Sequence, residues 1–383
     1  MKRALLVFTT AAALIAAAAG SRAQQDPVVQ LLQTLADAPG PSGFEEAVRK
    51  IMVERMKPYA DKISYDGLGS VIAMHGSAGP RVMVDAHMDE LGGVIRRIAP
   101  NGFLTMQMLG GWLDQALVDQ RWIIVGSKGT VRAVTGIRDV HIVPPEERTR
   151  VYPRESIFLD VGAKTEAEVR QLGIEAGDPV VPDAPFFVMN GTDNYAGKAW
   201  DDRVGCAVVI ETMRRLATAS HPNQIFYAAT VQEEIGLRGS HTASDAIKPE
   251  LGIALEGGVV KDAPGTHPEE SQVTLGKGPG LFLYDSSALP NRRLVAFVKQ
   301  VAEEKSIPLQ FDLVQGYGDD SAEIQKSNGG VPTVNLVVPA RYTHAHNGVI
   351  NRRDFDQMVE LMVAILQKLD ATTVAKIRDF APQ

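Results

Sequence analysis

The sequence predicts an α/β protein: a mixed sheet flanked by helices on both faces, interrupted by a small β-barrel-like unit. Two observations predict it. Strand-like apolar runs alternate with helical segments before residue 94 and again after residue 190, as a sheet covered on both faces requires. Between residues 94 and 190 the texture changes to short β-like runs separated by Gly and Pro, the pattern of a small barrel or sandwich.

Taken in order, Asp26 to Ala36 reads as a helix ended by Pro39-Gly40-Pro41. Ser42 and Glu45 have the spacing of a capping box, which predicts a helix to about Met56. Strands are expected over 62–65, 70–74 and 81–86, the last delivering His87 at its end. The insertion holds strands at 103–108, 121–125, 129–134 and 157–161. Its one helix, 165–172, starts with a Thr165/Glu168 capping box. After it come a helix over 203–217, a strand over 225–231, a helix over 237–246 and a strand over 251–255. A helix over 292–305, a strand over 331–338 and a closing helix over 354–369 complete the pattern.

Ahead of the first helix, Lys2 and Arg3 precede an almost unbroken apolar run from Ala4 to Ala19, and Ser21-Arg22-Ala23 fits a small-x-small cleavage site. These features predict a signal peptide over residues 1–23, cut after about Ala23, and an exported protein, periplasmic or secreted. The run is short for a span of about 20 residues, and no stop-transfer pattern follows, so no stable membrane anchor is expected. The remainder divides into residues 24–93, an insertion over 94–190, and residues 191–383. A chain of 383 residues is long for one core. Its net charge of −7 does not suggest a nucleic-acid partner. The single cysteine, Cys206, excludes an intrachain disulfide and sits in an apolar helical stretch, as a core residue would.

The dipeptide Glu233-Glu234 follows the apolar run 225–231. Two adjacent carboxylates in a dry site oppose each other's ionisation. Divalent cations remove that objection, since one carboxylate can bind metal while the other moves a proton. Matching ligands stand elsewhere: His87 and Asp89 in Asp85-Ala-His-Met-Asp-Glu90, Asp201-Asp202 before a helix, Glu256, and His344 in Arg341-Tyr-Thr-His344. Each alone has an ordinary reading as a turn, a helix-start charge, a strand-end charge or a hydrogen-bonded histidine. Together they supply two His and several carboxylates, four of the five places following predicted strands, where α/β sheets build sites. Such a mixed N/O shell suits two divalent metal ions, zinc, cobalt or manganese.

With these residues in view, the chain resembles the co-catalytic aminopeptidases of metallopeptidase family 42, which include tetrahedral and glutamyl aminopeptidases. The resemblance is carried by Pro41-Ser-Gly-Phe-Glu45, His87-Met-Asp-Glu90, Trp200-Asp-Asp-Arg203, Ala229-Thr-Val-Gln-Glu-Glu-Ile-Gly-Leu-Arg-Gly239 and Pro339-Ala-Arg-Tyr-Thr-His344, in the family's order. It implies the zinc-peptidase (phosphorylase/hydrolase-like) fold and removal of N-terminal residues from peptides with a free N-terminus. It implies that His87 binds one metal and His344 the other, with Asp201 bridging, Glu234 completing the second site and Glu256 the first. Asp89 would orient His87, and Glu233 would be the general base. The insertion would mediate contacts in a homodimer or larger homo-oligomer.

Three features depart from the family. Glu256 stands where Asp is usual, Gly348 where a Glu commonly follows the histidine, and the expected export is unusual. His346, nearby, is expected to take no part. Asp319-Asp320 reads as a solvated turn, with a place in the substrate pocket as the alternative. The rival functions are a co-catalytic metallo-deacylase or carboxypeptidase, and a non-catalytic periplasmic peptide-binding protein. An endoglucanase needs only two carboxylates, which leaves the histidines without a role.

Overall fold

The computed structural model describes residues 26–267 and 271–381. The segment on which the signal-peptide expectation rests lies outside the described residues. The chain opens with helices Pro27–Asp37 and Glu46–Met56. Asp26 caps the first, its Oδ1 accepting from the Val28 amide at 2.8 Å. The second has no side-chain cap, so Ser42 and Glu45 do not form the expected box. Instead Ser42 donates to the buried Asp89 carboxylate, and Glu45 accepts from the amides of Gly43 and Gln232.

Strands β1 (Lys62–Tyr65), β2 (Val71–His75) and β3 (Arg81–His87) follow. Six strands then close a barrel: β4 (Gly92–Ile98), β5 (Leu104–Leu109), β6 (Arg121–Gly126), β7 (Gly129–Thr135), β8 (Leu159–Asp160) and β9 (Pro179–Pro182), in the order β4-β5-β8-β7-β6-β9. Ile95, Leu104, Trp122, Ile124, Leu159 and Val180 fill it. Helix Glu166–Gln171 begins where Thr165 accepts from the Glu168 amide, as expected.

The chain rejoins the main sheet through β10 (Phe187–Val188) and β11 (Asn194–Gly197). Helix Trp200–Leu216, β12 (Gln224–Thr230), helix Arg238–Ile247, β13 (Leu251–Val259), β14 (Gly280–Tyr284) and helix Arg292–Glu304 come next. Then come β15 (Gln310–Leu313), helix Ser321–Lys326, β16 (Thr333–Arg341), β17 (Gly348–Asn351) and helices Arg352–Lys368 and Ala371–Arg378. The main sheet has the path β1-β2-β12-β3-β13-β16-β17-β11-β10, with β14 paired to β16 and β15 to β14.

Strands β12, β3, β13 and β16 run parallel to one another, and β2 and β17 run antiparallel on either side. The four parallel strands are buried along almost their whole length because both faces are covered. Val82, Val84 and Ala86 of β3 face the helices Pro27–Asp37, Trp200–Leu216 and Arg352–Lys368. Met83, one residue out of phase, packs with Ile247 and Ile324 on the opposite face. Parallel register brings Thr230 beside His87 and Ala254 beside Asp85, so Glu256 comes level with His87. That edge, where the parallel strands end, carries the site.

Candidate active site

Asp201 sits at the centre. Its Oδ1 lies 3.1 Å from His87 Nε2, and its Oδ2 lies 3.4 Å from His344 Nε2. Glu256 Oε2 approaches His87 Nε2 at 3.5 Å, and Glu234 Oε2 approaches His344 Nε2 at 3.8 Å. Two triads result, His87–Asp201–Glu256 and Asp201–Glu234–His344, each with its ligand atoms within 4.8 Å of one another. All five residues expected as ligands are thus brought together. Glu233 belongs to neither triad, yet its Oε2 stands 3.9 Å from His87 Nε2.

The other nitrogen of each imidazole is fixed. His87 Nδ1 faces the main-chain oxygen of Asp89 at 3.2 Å and its Oδ1 at 3.5 Å. His344 Nδ1 meets the carbonyl of Gly111 at 2.7 Å, in the loop after β5 of the barrel. Both partners leave Nε2 turned toward the carboxylates.

The electrostatics fit divalent cations. Burial opposes a charge on His87, but the carboxylates of Glu233, Glu256 and Asp201 outweigh it and hold the imidazole well above its usual value. His344 is likewise raised, to about 9: its burial opposes the charge, and Asp201 and Glu234 overcome that opposition. Burial pushes Glu233 and Glu256 well above the carboxylate range, and burial with Asp201's charge lifts Glu234 to about 8. The buried oxygens Oε1 of Glu234 and Oε1 of Glu256 have no hydrogen-bond partner. Crowded carboxylates with unsatisfied buried oxygens are costly unless a cation binds them. The imidazole and carboxylate donors match such an ion.

Several supports of the site were not visible as such in the sequence. Buried Arg203 donates to the carbonyls of Leu35, Ala38, Gly40 and Met88, tying the first helix and its following loop to the end of β3. Lys198 Nζ pairs with buried Glu90 at 2.6 Å, and Glu90 Oε1 also accepts from the Gly40 amide. Asp202 is turned away from the triads and accepts from the Gly205 amide at 2.9 Å, which starts the regular helix. Glycine at 205 leaves room for that carboxylate: a Cβ there would lie 2.2 Å from Asp202 Oδ2 and would have to displace it.

Asp319 and Asp320 are buried, which overturns their expectation as a solvated turn. Asp319 accepts from Asn335 Nδ2 and the Ser321 amide, and Asp320 from Thr230 Oγ1. Oδ2 of each is thereby committed to a partner far away in sequence, Asn335 for Asp319 and Thr230 for Asp320. His346 packs edge-on against Trp122 at 4.3 Å, between barrel and sheet, and belongs to neither triad. Gly348 leaves room for Trp200, whose Cδ1 would lie 2.8 Å from a Cβ there.

A family model described as M42 glutamyl aminopeptidase matches residues 69–361. The putative aminopeptidase FrvX of Escherichia coli K12 is 36% identical over 354 residues, covering 92% of this chain and 98% of the relative. The TET aminopeptidase from the marine sediment archaeon Thaumarchaeota archaeon SCGC AB-539-E09 superposes with a TM-score of 0.90 at 38% identity, covering 92% of this chain and 99% of that one. The TET1 peptidase of Pyrococcus horikoshii, described as assembling into a tetrahedron or a large octahedral shell, has a TM-score of 0.81 at 29% identity, covering 89% of this chain and all of its own. These findings overturn the expectation of an exported, periplasmic or secreted protein: the relatives align over nearly their whole length, and nothing in them points to export. The architecture, the paired ligand triads and the matches agree: the chain belongs to the M42 glutamyl aminopeptidase family and is a metal-dependent aminopeptidase, a hydrolase.

Proposed function

We propose that this aminopeptidase holds two divalent ions, one in the His87–Asp201–Glu256 triad and one in the Asp201–Glu234–His344 triad, with Glu233 as general base. The observation that carries the reading is the division of Asp201, one oxygen toward each histidine. When bound, the ions supply Lewis acidity and a water whose pKa is drawn toward neutrality. Glu233, beside His87 of the first triad and a member of neither, takes the proton of the attacking water and passes it to the leaving amine. Asp201 keeps the two halves of the site in fixed relation. Zinc and cobalt fit the mixed imidazole and carboxylate donors best, with manganese also compatible.

The substrates are peptides with a free N-terminal amine, and the protein works as a homo-oligomer. The assemblies named for the P. horikoshii relative support the second point. So do the exposed Ile137, Val140, Ile142 and Val151 in the loops after β7, beside the barrel. The family match supports this reading over a deacylase, a carboxypeptidase or a binding protein. Aminoacyl anilides and N-acyl amino acids assayed with defined metals test it; turnover of only the N-blocked set would overturn it. Glu233→Gln should lower the rate by about 10²–10⁴ with both ions retained.

A further inference from the structure

The segment carrying the two glutamates is held by its main chain. Three consecutive amides, those of Gln232, Glu233 and Glu234, point at buried carboxylates from elsewhere in the chain. Gln232 N donates to Glu45 Oε1 at 3.2 Å, Glu233 N to Asp89 Oδ1 at 3.0 Å, and Glu234 N to Asp89 Oδ2 at 3.2 Å. The same Asp89 Oδ2 accepts from the Ser42 hydroxyl at 2.6 Å. On the other side of the turn, the carbonyl of Glu233 accepts from the amides of Gly236 and Leu237, and that of Val231 from Gly239. The turn's main-chain hydrogen bonds are thereby largely accounted for.

The arrangement offsets a cost. Gln232 is in the left-handed region at φ 58°, which strains a non-glycine residue. The donors and acceptors come from three places: the buried Ser42 and Glu45 before the second helix, the buried Asp89 after β3, and the partly buried turn after β12. The first two are locked together. The Glu90 amide donates to the Gly40 carbonyl at 3.1 Å, and Arg203 donates to that carbonyl too. Asp89 therefore does more than face His87. It sets the backbone from which Glu233 and Glu234 project, and Ser42 and Glu45 set it in turn.

We propose that Ser42 and Glu45 are positioning residues of the peptidase reaction. With Asp89 they clamp the 232–234 amides and so fix the place of the Glu233 carboxylate. The proposal rests on Glu233 being the base. It treats the Ser-x-x-Glu pattern at 42–45 as part of the site rather than as a helix signal.

The test uses the full-length chain loaded with metal and a turned-over aminoacyl anilide. Ser42→Ala and Glu45→Ala are each expected to lower kcat by about 10–100-fold, with KM and metal content near parental values. Glu45→Gln keeps an acceptor for the Gln232 amide and should restore most of that loss. In the Glu233→Gln background, Ser42→Ala should add less than about two-fold, because residues acting through one group are not additive. A crippled Glu233→Gln beside a Ser42→Ala enzyme of parental kcat overturns the clamp alone. So does a Ser42→Ala loss that carries undiminished into the Glu233→Gln background, or one accompanied by lost metal. Parental rate in Glu233→Gln itself overturns the base assignment and the clamp with it. Should Ser42→Ala not fold, the Glu45→Ala and Glu45→Gln pair decides: equal losses in both overturn the clamp.

Discussion

Replacing Glu256 with Asp shortens the arm that reaches toward His87 by one methylene, about 1.5 Å. Glu256 Oε2 now lies 3.5 Å from His87 Nε2, so the shorter carboxylate would stop at about 5 Å if the backbone stayed in place. The backbone has little freedom to follow. A Cβ on the adjacent Gly257 would meet the Trp200 carbonyl oxygen at 2.7 Å and Asp201 N at 3.0 Å, so β13 already rests against the segment that carries Asp201. The first triad loses its fit, whereas the second contains no atom of Glu256. One ion should weaken by about 10–100-fold, or about 1.4–2.8 kcal/mol, while the other keeps its affinity. Competition against a chromophoric chelator resolves the two binding steps. Parental affinity at both sites in Glu256→Asp would refute the reasoning. It would mean that the strand repositions freely or that the longer arm is irrelevant to the first ion.

Three further outcomes are expected. Arg203→Met removes a buried donor from the carbonyls of Leu35, Ala38, Gly40 and Met88 and from Glu90, although Ala38 keeps Lys198 Nζ and Gly40 keeps the Glu90 amide; unfolding by urea should show a loss on the order of 3–5 kcal/mol. Cys206 is buried, and burial pushes its thiol above the usual range while its Sγ points at the His87 carbonyl; a disulfide reagent should react only after denaturant is added. Asp354 is buried, which lifts its carboxyl to about 6 although the amides of Gly276 and Gly278 donate to it. A raised carboxyl stabilises the fold while protonated, so this contribution is present below about pH 4 and lost as pH rises through about 6. The pH dependence of Tm over that window should be flatter in Asp354→Asn, and an unchanged slope would discount the shift.

The parallel core was legible because β3, β12, β13 and β16 are covered on both faces and so appear as continuous apolar runs. The five candidate ligands were legible only together: His87, Glu234, Glu256 and His344 follow such runs and Asp201 precedes a helix, and each alone has an ordinary reading. The short strands toward the margins of the sheet were not legible. β10, β11 and β17 have two to four residues, and β15 reads Gln-Phe-Asp-Leu, too brief to show a period. Ser42 and Glu45 were misread because the local cap pattern is real, but buried Asp89 and the Gln232 amide, 47 and 187 residues away, claimed the side chains. Asp319 and Asp320 misled similarly. Turn-forming residues look solvated until Asn335 and Thr230, from two strands of the sheet, close over them.

The hydrogen bond from His344 to the Gly111 carbonyl bears on modularity. The barrel is a closed sheet with its own core, the architecture of a cassette that could be exchanged between scaffolds. Yet one of its loops dictates which nitrogen of a catalytic-layer histidine is offered to the site. A chimera that transplants another small barrel between β3 and β10 must therefore present a carbonyl at that same point. Otherwise it will fold as two sound pieces around a misdirected imidazole.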